Sequence, residues 1–227
     1  MNLYYVKFNI TTMKAGIIGS GKVAQELGLG LLKLNYEVML GTRNVEKLES
    51  WQNSAGQGAK AGSFADAAEF GDFIILATKW EDEAAFKAIE MAGKNHFAGK
   101  IVIDVTNPIH IRPDGGTPEP ALGFPESAGK KVQEFLLRSK VVKAFNIVTA
   151  KYMCQPELED GIPEMFIAGN DPTAKAFVQK IAADWGWPVS DMGDISQSYL
   201  LEALALLWVR YGFLNNHWTH AFSLLKK

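Results

Sequence analysis

Between an apolar run and an amphipathic stretch, the chain reads Gly19-Ser20-Gly21-Lys22-Val23-Ala24. Residue types at this spacing suit one task, the holding of a pyrophosphate. A phosphate pair needs a tight turn, a backbone it can approach, and helix N–H groups left without intrahelical acceptors. Gly19 supplies the turn, Gly21 removes the side chain that would block the approach, and Ala24 lets the helix pack close to its strand. Ahead of the motif, Lys14-Ala15-Gly16-Ile17-Ile18 reads as a strand; behind it, Gln25, Leu27, Leu31 and Leu34 follow a helical period. With both flanks in place, the motif reads as a dinucleotide site rather than an ordinary glycine turn.

A second strand, expected over 36–41, ends in Gly41-Thr42-Arg43-Asn44, with Lys47 following. NAD sites place a carboxylate there for the ribose 2′-hydroxyl. This chain offers a hydroxyl, a guanidinium, an amide and an ammonium instead, and the planar fork of an arginine donates two bonds to a phosphate at once. NADP is therefore the expected nucleotide.

The elements that must position these groups are legible further along. Strands are expected over 59–62, 72–77, 100–105 and 140–145, alternating with helices over 45–54, 63–69, 81–91 and 129–137. Ser63 is placed to cap the helix it precedes. Alternation of this kind gives an α/β fold, a Rossmann doubly wound parallel sheet. Ligands of such sheets bind outside the carboxyl ends of the strands. That rule selects Thr78-Lys79-Trp80, Thr106-Asn107-Pro108 and Asn146-Ile147-Val148. Asn107 ahead of Pro108 has a restricted backbone and an amide able to bond a carboxamide or a ribose.

Residues 13–150 are expected to form the NADP-binding Rossmann domain, and 151–227 a small, mainly helical C-terminal region for substrate and dimerisation. That region carries a strand at 164–169, a helix at 172–185 and a short strand at 187–190. A long apolar helical stretch over 195–225 follows, with breaks expected near Gly212 and Asn215-Asn216. It is apolar nearly all round, with Leu204, Trp208 and Tyr211 on one stripe, which points to a homodimer. His217 and His220 would share a helical face, but no further ligands accompany them, so no metal site is expected.

The 227 residues are 48% hydrophobic and 21% charged, enough for one well-packed domain with an appendage. A net charge of −2, with basic residues scattered, argues against a nucleic-acid partner. One cysteine, Cys154, excludes an internal disulfide and fits a reducing, cytoplasmic compartment; it reads as a small buried hydrophobe. The most apolar run, 199–209, is too short to span a membrane and contains Glu202, so no membrane partner is expected. Residues 1–12 lack the apolar core and cleavage site of a signal peptide. Either Met13 is the natural start, or 3–8 adds an edge strand.

The segments at 19–24 and 41–44 share the chain with Asp104-Val105-Thr106-Asn107-Pro108 and Val141-Val142-Lys143-Ala144-Phe145-Asn146. In this order they resemble the NADP oxidoreductase family that depends on the deazaflavin coenzyme F-420. The chain is similar, too, to the cytosolic oxidoreductase domain of the six-transmembrane ferric reductases. The resemblance runs from Met13 to the final apolar stretch, with Leu201-Glu202-Ala203-Leu204 and Ala221-Phe222. It implies that Thr42, Arg43 and Asn44 hold the 2′-phosphate with Lys47 nearby, and that Ser20, Lys22 and Val23 lie on the pyrophosphate. Ala77, Thr78, Asn107 and Ala144 would line the nicotinamide. The implied reaction is direct hydride transfer between stacked rings, with coenzyme F-420 or a flavin as the small-molecule redox partner. The protein would then supply orientation and a dry site.

In keeping with that, no Ser/His/Asp set or purposeful carboxylate pair stands out, and no catalytic acid or base is expected. The same lack leaves two other functions open. One is a non-catalytic NADP-binding sensor or regulatory module. The other is a reductase of a small carbonyl or imine, for which Lys79 is the best proton donor. Gly115-Gly116-Thr117-Pro118-Glu119-Pro120 is either a lid over the site or a connection.

Overall fold

The computed structural model describes residues 12–225; the edge strand expected at 3–8 lies outside them. β1 (Lys14–Ile18) buries four of its five residues, as a strand covered on both faces must. α1 (Lys22–Lys33) returns the chain to β2 (Glu37–Gly41). The helix expected over 45–54 is divided into a 3-10 turn at Val45–Leu48 and α2 (Glu49–Ala55). β3 (Ala59–Gly62) leads into α3 (Phe64–Phe70), where Ser63 and Asp66 form the reciprocal capping box. β4 (Phe73–Leu76), α4 (Ala84–Ala92) and β5 (Ile101–Asp104) follow. A two-residue ribbon pairs β6 (Ile109–His110) with β7 (Glu119–Pro120), so the segment at 115–120 ends in its second strand. Then come α5 (Ala128–Phe135), β8 (Lys140–Lys143), β9 (Met165–Gly169), α6 (Pro172–Asp184), β10 (Val189–Asp191) and α7 (Ser198–Asn215).

Eight strands make one sheet in the order β10-β9-β8-β5-β4-β1-β2-β3. Its order reverses at β1 and β4, the switch point at which doubly wound sheets open a crevice. α1 buries Ala24, Leu27 and Leu31 in the core on one face, whereas α3 and α4 bury Phe64, Ala67, Ala88 and Ile89 in the core on the other.

The sheet departs from an all-parallel one at a single pair, because β9 runs antiparallel to β8. A parallel strand needs a crossover of a dozen or more residues, usually a helix. Between β8 and β9 the chain forms only a short 3-10 turn, Ala150–Tyr152, so β9 enters from the end at which β8 left. α6 then supplies the crossover that makes β10 parallel to β9. Both late strands join the main sheet, so that sheet continues past residue 150.

The C-terminal stretch is helical only to Asn215. Asn216 adopts a left-handed conformation (φ 45°) that ends α7, and Gly212 stays inside the helix, against Trp218. The expected helical face shared by His217 and His220 is therefore not formed. The tail turns back instead: the Glu164 N–H donates to the Phe222 carbonyl (2.9 Å), and His220 stacks on Trp208 with ring centroids 4.8 Å apart. The buried stripe of α7 also differs from the expected one. It runs through Leu201, Ala205, Trp208 and Gly212, while Tyr211 is 48% exposed. Trp208 is covered because its indole N–H donates to the His220 carbonyl (2.7 Å), which folds the tail over it.

Trp208→Ala is therefore expected to cost roughly 3–5 kcal/mol of stability, and Tyr211→Ala about 1 kcal/mol or less. Denaturant titrations of the two variants check this; equal losses would place Tyr211 in the core.

Candidate functional site

The turn after β1 is held from three sides. Gly19 has φ +139°, and a Cβ there would collide with the Ala77 carbonyl at the end of β4. Only glycine tolerates both the conformation and the approach. The Gly19 N–H donates to the Gly41 carbonyl (3.1 Å), so the ends of β1, β2 and β4 are drawn together. Gly21 is the N-cap of α1, in an extended conformation and without a side-chain cap. A Cβ on Gly21 would meet nothing within 4 Å, so the glycine opens onto free space. The Gln25 amide fixes the loop by donating to the Ser20 carbonyl (3.0 Å).

That space is a cleft of about 550 Å³ whose lining includes Gly19, Ser20, Gly21, Ala77, Thr78 and Lys79, within the range of ordinary ligand sites. At one end lie Thr42, Arg43, Asn44 and Lys47. Thr42 is buried; its N–H donates to the Gly62 carbonyl (3.0 Å), and its hydroxyl accepts the Asn44 N–H (3.3 Å). This pins the backbone while Arg43, Asn44 and Lys47 extend into solvent. No carboxylate from the end of β2 enters the cleft lining.

The opposite wall is α4 and the bend before it: Glu81, Asp82, Ala84, Lys87, Ala88 and Met91. Sequence reasoning read 81–91 as one helix and gave it no role in the site. Two successive left-handed residues, Asp82 (φ 53°) and Glu83 (φ 57°), break it. Non-glycine residues in that region cost of order 1–3 kcal/mol each, and such costs gather at functional bends. Glu81 is anchored from outside the cleft, its carboxylate accepting the Ile111 N–H (3.1 Å). The signal for this wall was its place directly after the β4 carboxyl end.

The remaining expected residues fall elsewhere. Lys22 and Val23 begin α1 outside the cleft lining. Asn107, Pro108, Ala144 and Asn146 form a second group at the ends of β5 and β8. There the Asn107 amide donates to the Asn146 carbonyl (2.8 Å), and the Asn146 amide donates to Asn107 Oδ1 (2.9 Å) and to the Leu201 carbonyl (3.1 Å). Ala144 is fully buried. Among the described residues three buried side-chain oxygens lack a protein partner, and two of them lie at strand ends: Asn146 Oδ1, and Thr78 Oγ1 in the cleft. Buried polar atoms are rarely left so, and both are acceptors available to a donor from a ligand.

Beneath the asparagines sits a charge cluster that spacing did not disclose. Lys143 is fully buried, with its Nζ 3.1 Å from Asp104 and 2.9 Å from Glu202, and it also donates to the Thr106 carbonyl. Asp104 accepts the Thr106 N–H (2.9 Å) and hydroxyl (2.7 Å), while Glu202 accepts the N–H groups of Ala128 (2.9 Å) and Gly129 (3.0 Å) at the start of α5. Burial opposes the charge on Lys143, yet Asp104 and Glu202 outweigh it and hold the ammonium above the ordinary lysine value. Burial raises the Glu202 carboxyl above its ordinary value; Lys143 pulls it down and Asp104 pushes it up.

Other reactive groups are inert or apart. Burial pushes the Cys154 thiol up to about 12, so a thiolate is scarce at neutral pH. Among the described residues no three His, Cys, Asp or Glu side chains are placed to hold a metal, and no helix is long and apolar enough to cross a membrane.

Residues 14–108 match the family model described as NADP oxidoreductase coenzyme F420-dependent. The F420-dependent NADP reductase of Methanocaldococcus jannaschii is 32% identical over 213 residues, which is 87% of this chain and 91% of that protein. Metalloreductase STEAP3 of Rattus norvegicus is 28% identical over 193 residues, 85% of this chain but 36% of the relative. The chain thus spans about a third of the length of the metalloreductases it matches. Among solved structures, an Arthrobacter sp. FB24 protein provisionally described as an F420-dependent NADP-reductase superposes with a TM-score of 0.87 at 28% identity, covering 95% of this chain and all of that one.

Because its folded value lies above the unfolded one, Lys143 contributes stability that is fully present below the ordinary lysine value and is lost as pH rises through the raised one. In Lys143→Met the ammonium is gone, and Glu202 and Asp104 face each other alone. The protonated carboxyl of Glu202 then favours the fold, so stability is lost as pH rises. Lys143 pulls the Glu202 value down in the native protein, so the melting temperature of the variant is expected to fall more steeply with rising pH, and over a higher range, than that of the native protein. Parallel melting curves for the two would show that the carboxylates do not feel each other.

Proposed function

The chain belongs to the coenzyme F420-dependent NADP oxidoreductase family, and on that premise we propose that it binds NADP(H) along the switch-point cleft and exchanges a hydride with a deazaflavin or flavin-like ring. One observation carries the reading: an open glycine turn and a carboxylate-free cationic strand end line the same cleft. Ser20 and Gly21 take the pyrophosphate, with the uncapped first turn of α1 facing it. Thr42, Arg43, Asn44 and Lys47 take the 2′-phosphate, and Lys87, across the cleft, adds positive charge. The nucleotide, when bound, supplies the hydride at its nicotinamide ring. Thr78, Asn107 and Asn146 set where that ring lies, and Pro108 and the buried ends of β5 and β8 keep water from it.

A reductase of carbonyls or imines is the reading that Lys79 would favour, since this residue lines the cleft and its ammonium could protonate the nitrogen or oxygen of the bond being reduced. Label transfer separates the two. Deuterium on the reactive carbon of NADPH is expected to appear in reduced deazaflavin without loss to water, and Lys79→Met is expected to slow turnover less than about tenfold. If the acceptors F420, FMN, FAD and ferric chelates are all inert while an imine is reduced, or if Lys79→Met costs about 10²-fold or more, the carbonyl or imine reading replaces this one.

The cofactor assignment has its own measurement. A charge-assisted bond is worth roughly 1.5–3 kcal/mol, so Arg43→Ala is expected to weaken NADPH roughly 10- to 150-fold. NADH affinity should stay nearly unchanged, as read by calorimetry. Equal weakening of both nucleotides would remove Arg43 from the 2′-phosphate.

A further inference from the structure

Among the described residues Lys143 is the one lysine or arginine classed as buried. Ion pairs taken out of water gain little stability over apolar packing, but their geometry is specific. Here the geometry converges on one place. The ammonium has three N–H donors and three acceptors: Asp104, Glu202 and the Thr106 carbonyl. Two of the acceptors stand next to a residue of the asparagine pair or to its partner, and the third holds one of those two. Thr106 precedes Asn107, and Asp104 holds Thr106 by two further bonds. Glu202 follows Leu201, whose carbonyl accepts the Asn146 amide. Lys143 itself leads, through Ala144 and Phe145, to Asn146. Phe145 is left-handed (φ 57°) and buried, a conformation a bulky residue holds only where its surroundings impose it. That turn brings Asn146 back against Asn107, and it leaves Asn146 Oδ1 buried with no protein partner.

We propose that Lys143 is a positioning residue: through Thr106 on one side and Glu202 on the other it clamps the Asn107–Asn146 pair, which sets the nicotinamide end of the bound nucleotide. The inference rests on the reading of the cleft as an NADP(H) site. It assigns to the buried charges a task in alignment, separate from the binding of the phosphates, which lie on other strand ends.

The test splits affinity from alignment. In Lys143→Met the NADPH dissociation constant, read from tryptophan quenching, is expected to stay within about threefold of wild type, while the single-turnover rate of hydride transfer falls roughly 10²-fold. The fluorescence lifetime of the bound reduced nicotinamide is expected to shorten, because a loosened ring is quenched by water. Glu202→Gln keeps Asp104 on the ammonium and gives the same split at smaller size, so it serves if Lys143→Met does not fold. Affinity, rate and melting temperature falling in step would mean a purely structural role and overturn the proposal; so would an unchanged rate and lifetime in both variants. The lifetime needs no acceptor. A wild-type protein that binds NADPH and reduces nothing refutes the hydride-transfer reading, whereas a lifetime unaltered by Lys143→Met refutes the clamp.

Discussion

Connections that leave β1 and β4 on opposite faces of the sheet impose the constraint on which the rest of this structure depends. α1 covers one face, and α3 and α4 cover the other, so nothing can fill the space above the adjoining strand ends. The crevice is a consequence of the winding, and the local sequence then decides what it can hold. Gly19 lets the turn press against the Ala77 carbonyl and reach the Gly41 carbonyl, which closes the floor. Gly21 keeps the mouth open where a side chain would otherwise stand.

Charge is distributed along that crevice in a way that fits its proposed use. Cations stand at the β2 end, and Lys87 rises from the facing helix. The carboxylates that enter the lining, Glu81 and Asp82, sit on the bend before α4 rather than at the β2 end. An acid at the β2 end would repel a 2′-phosphate; at the bend, Glu81 serves the backbone of the ribbon segment by accepting from Ile111. The cluster around Lys143 has a different character. Buried and saturated with acceptors, it ties β5, β8, α5 and α7 into one unit, so the helix that closes the chain is coupled to the strand ends beside the cleft.

Much of the fold was legible in the sequence. The turn at 19–24 and the strand end at 42–44 are contiguous, and steric room and charge are properties a short segment carries by itself. The Ser63 cap was readable for the same reason, since a capping box spans four residues. Alternating apolar runs determined the α/β class and the neighbourhood of each strand end, because burial on both faces leaves a continuous apolar signature.

Tertiary structure alone decided the rest, and the reason is distance along the chain. Asp104 and Lys143 lie 39 positions apart, and Glu202 reaches Lys143 from a helix that reads as uniformly apolar around it. No local period can announce a contact between segments whose pairing depends on how the sheet is ordered. The antiparallel entry of β9 depended on a connection too short in helix to cross the sheet. The wall formed by α4 depended on two residues adopting a conformation their side chains disfavour. The fate of the tail turned on one left-handed asparagine and on the indole N–H of Trp208, which found its acceptor in His220 only once the chain had folded back. The sequence by itself determined which segments leave steric room and carry positive charge at the strand ends and which must be buried; the packing of distant segments decided which polar groups meet, because a buried charge or N–H is stabilised only by partners that folding brings within reach.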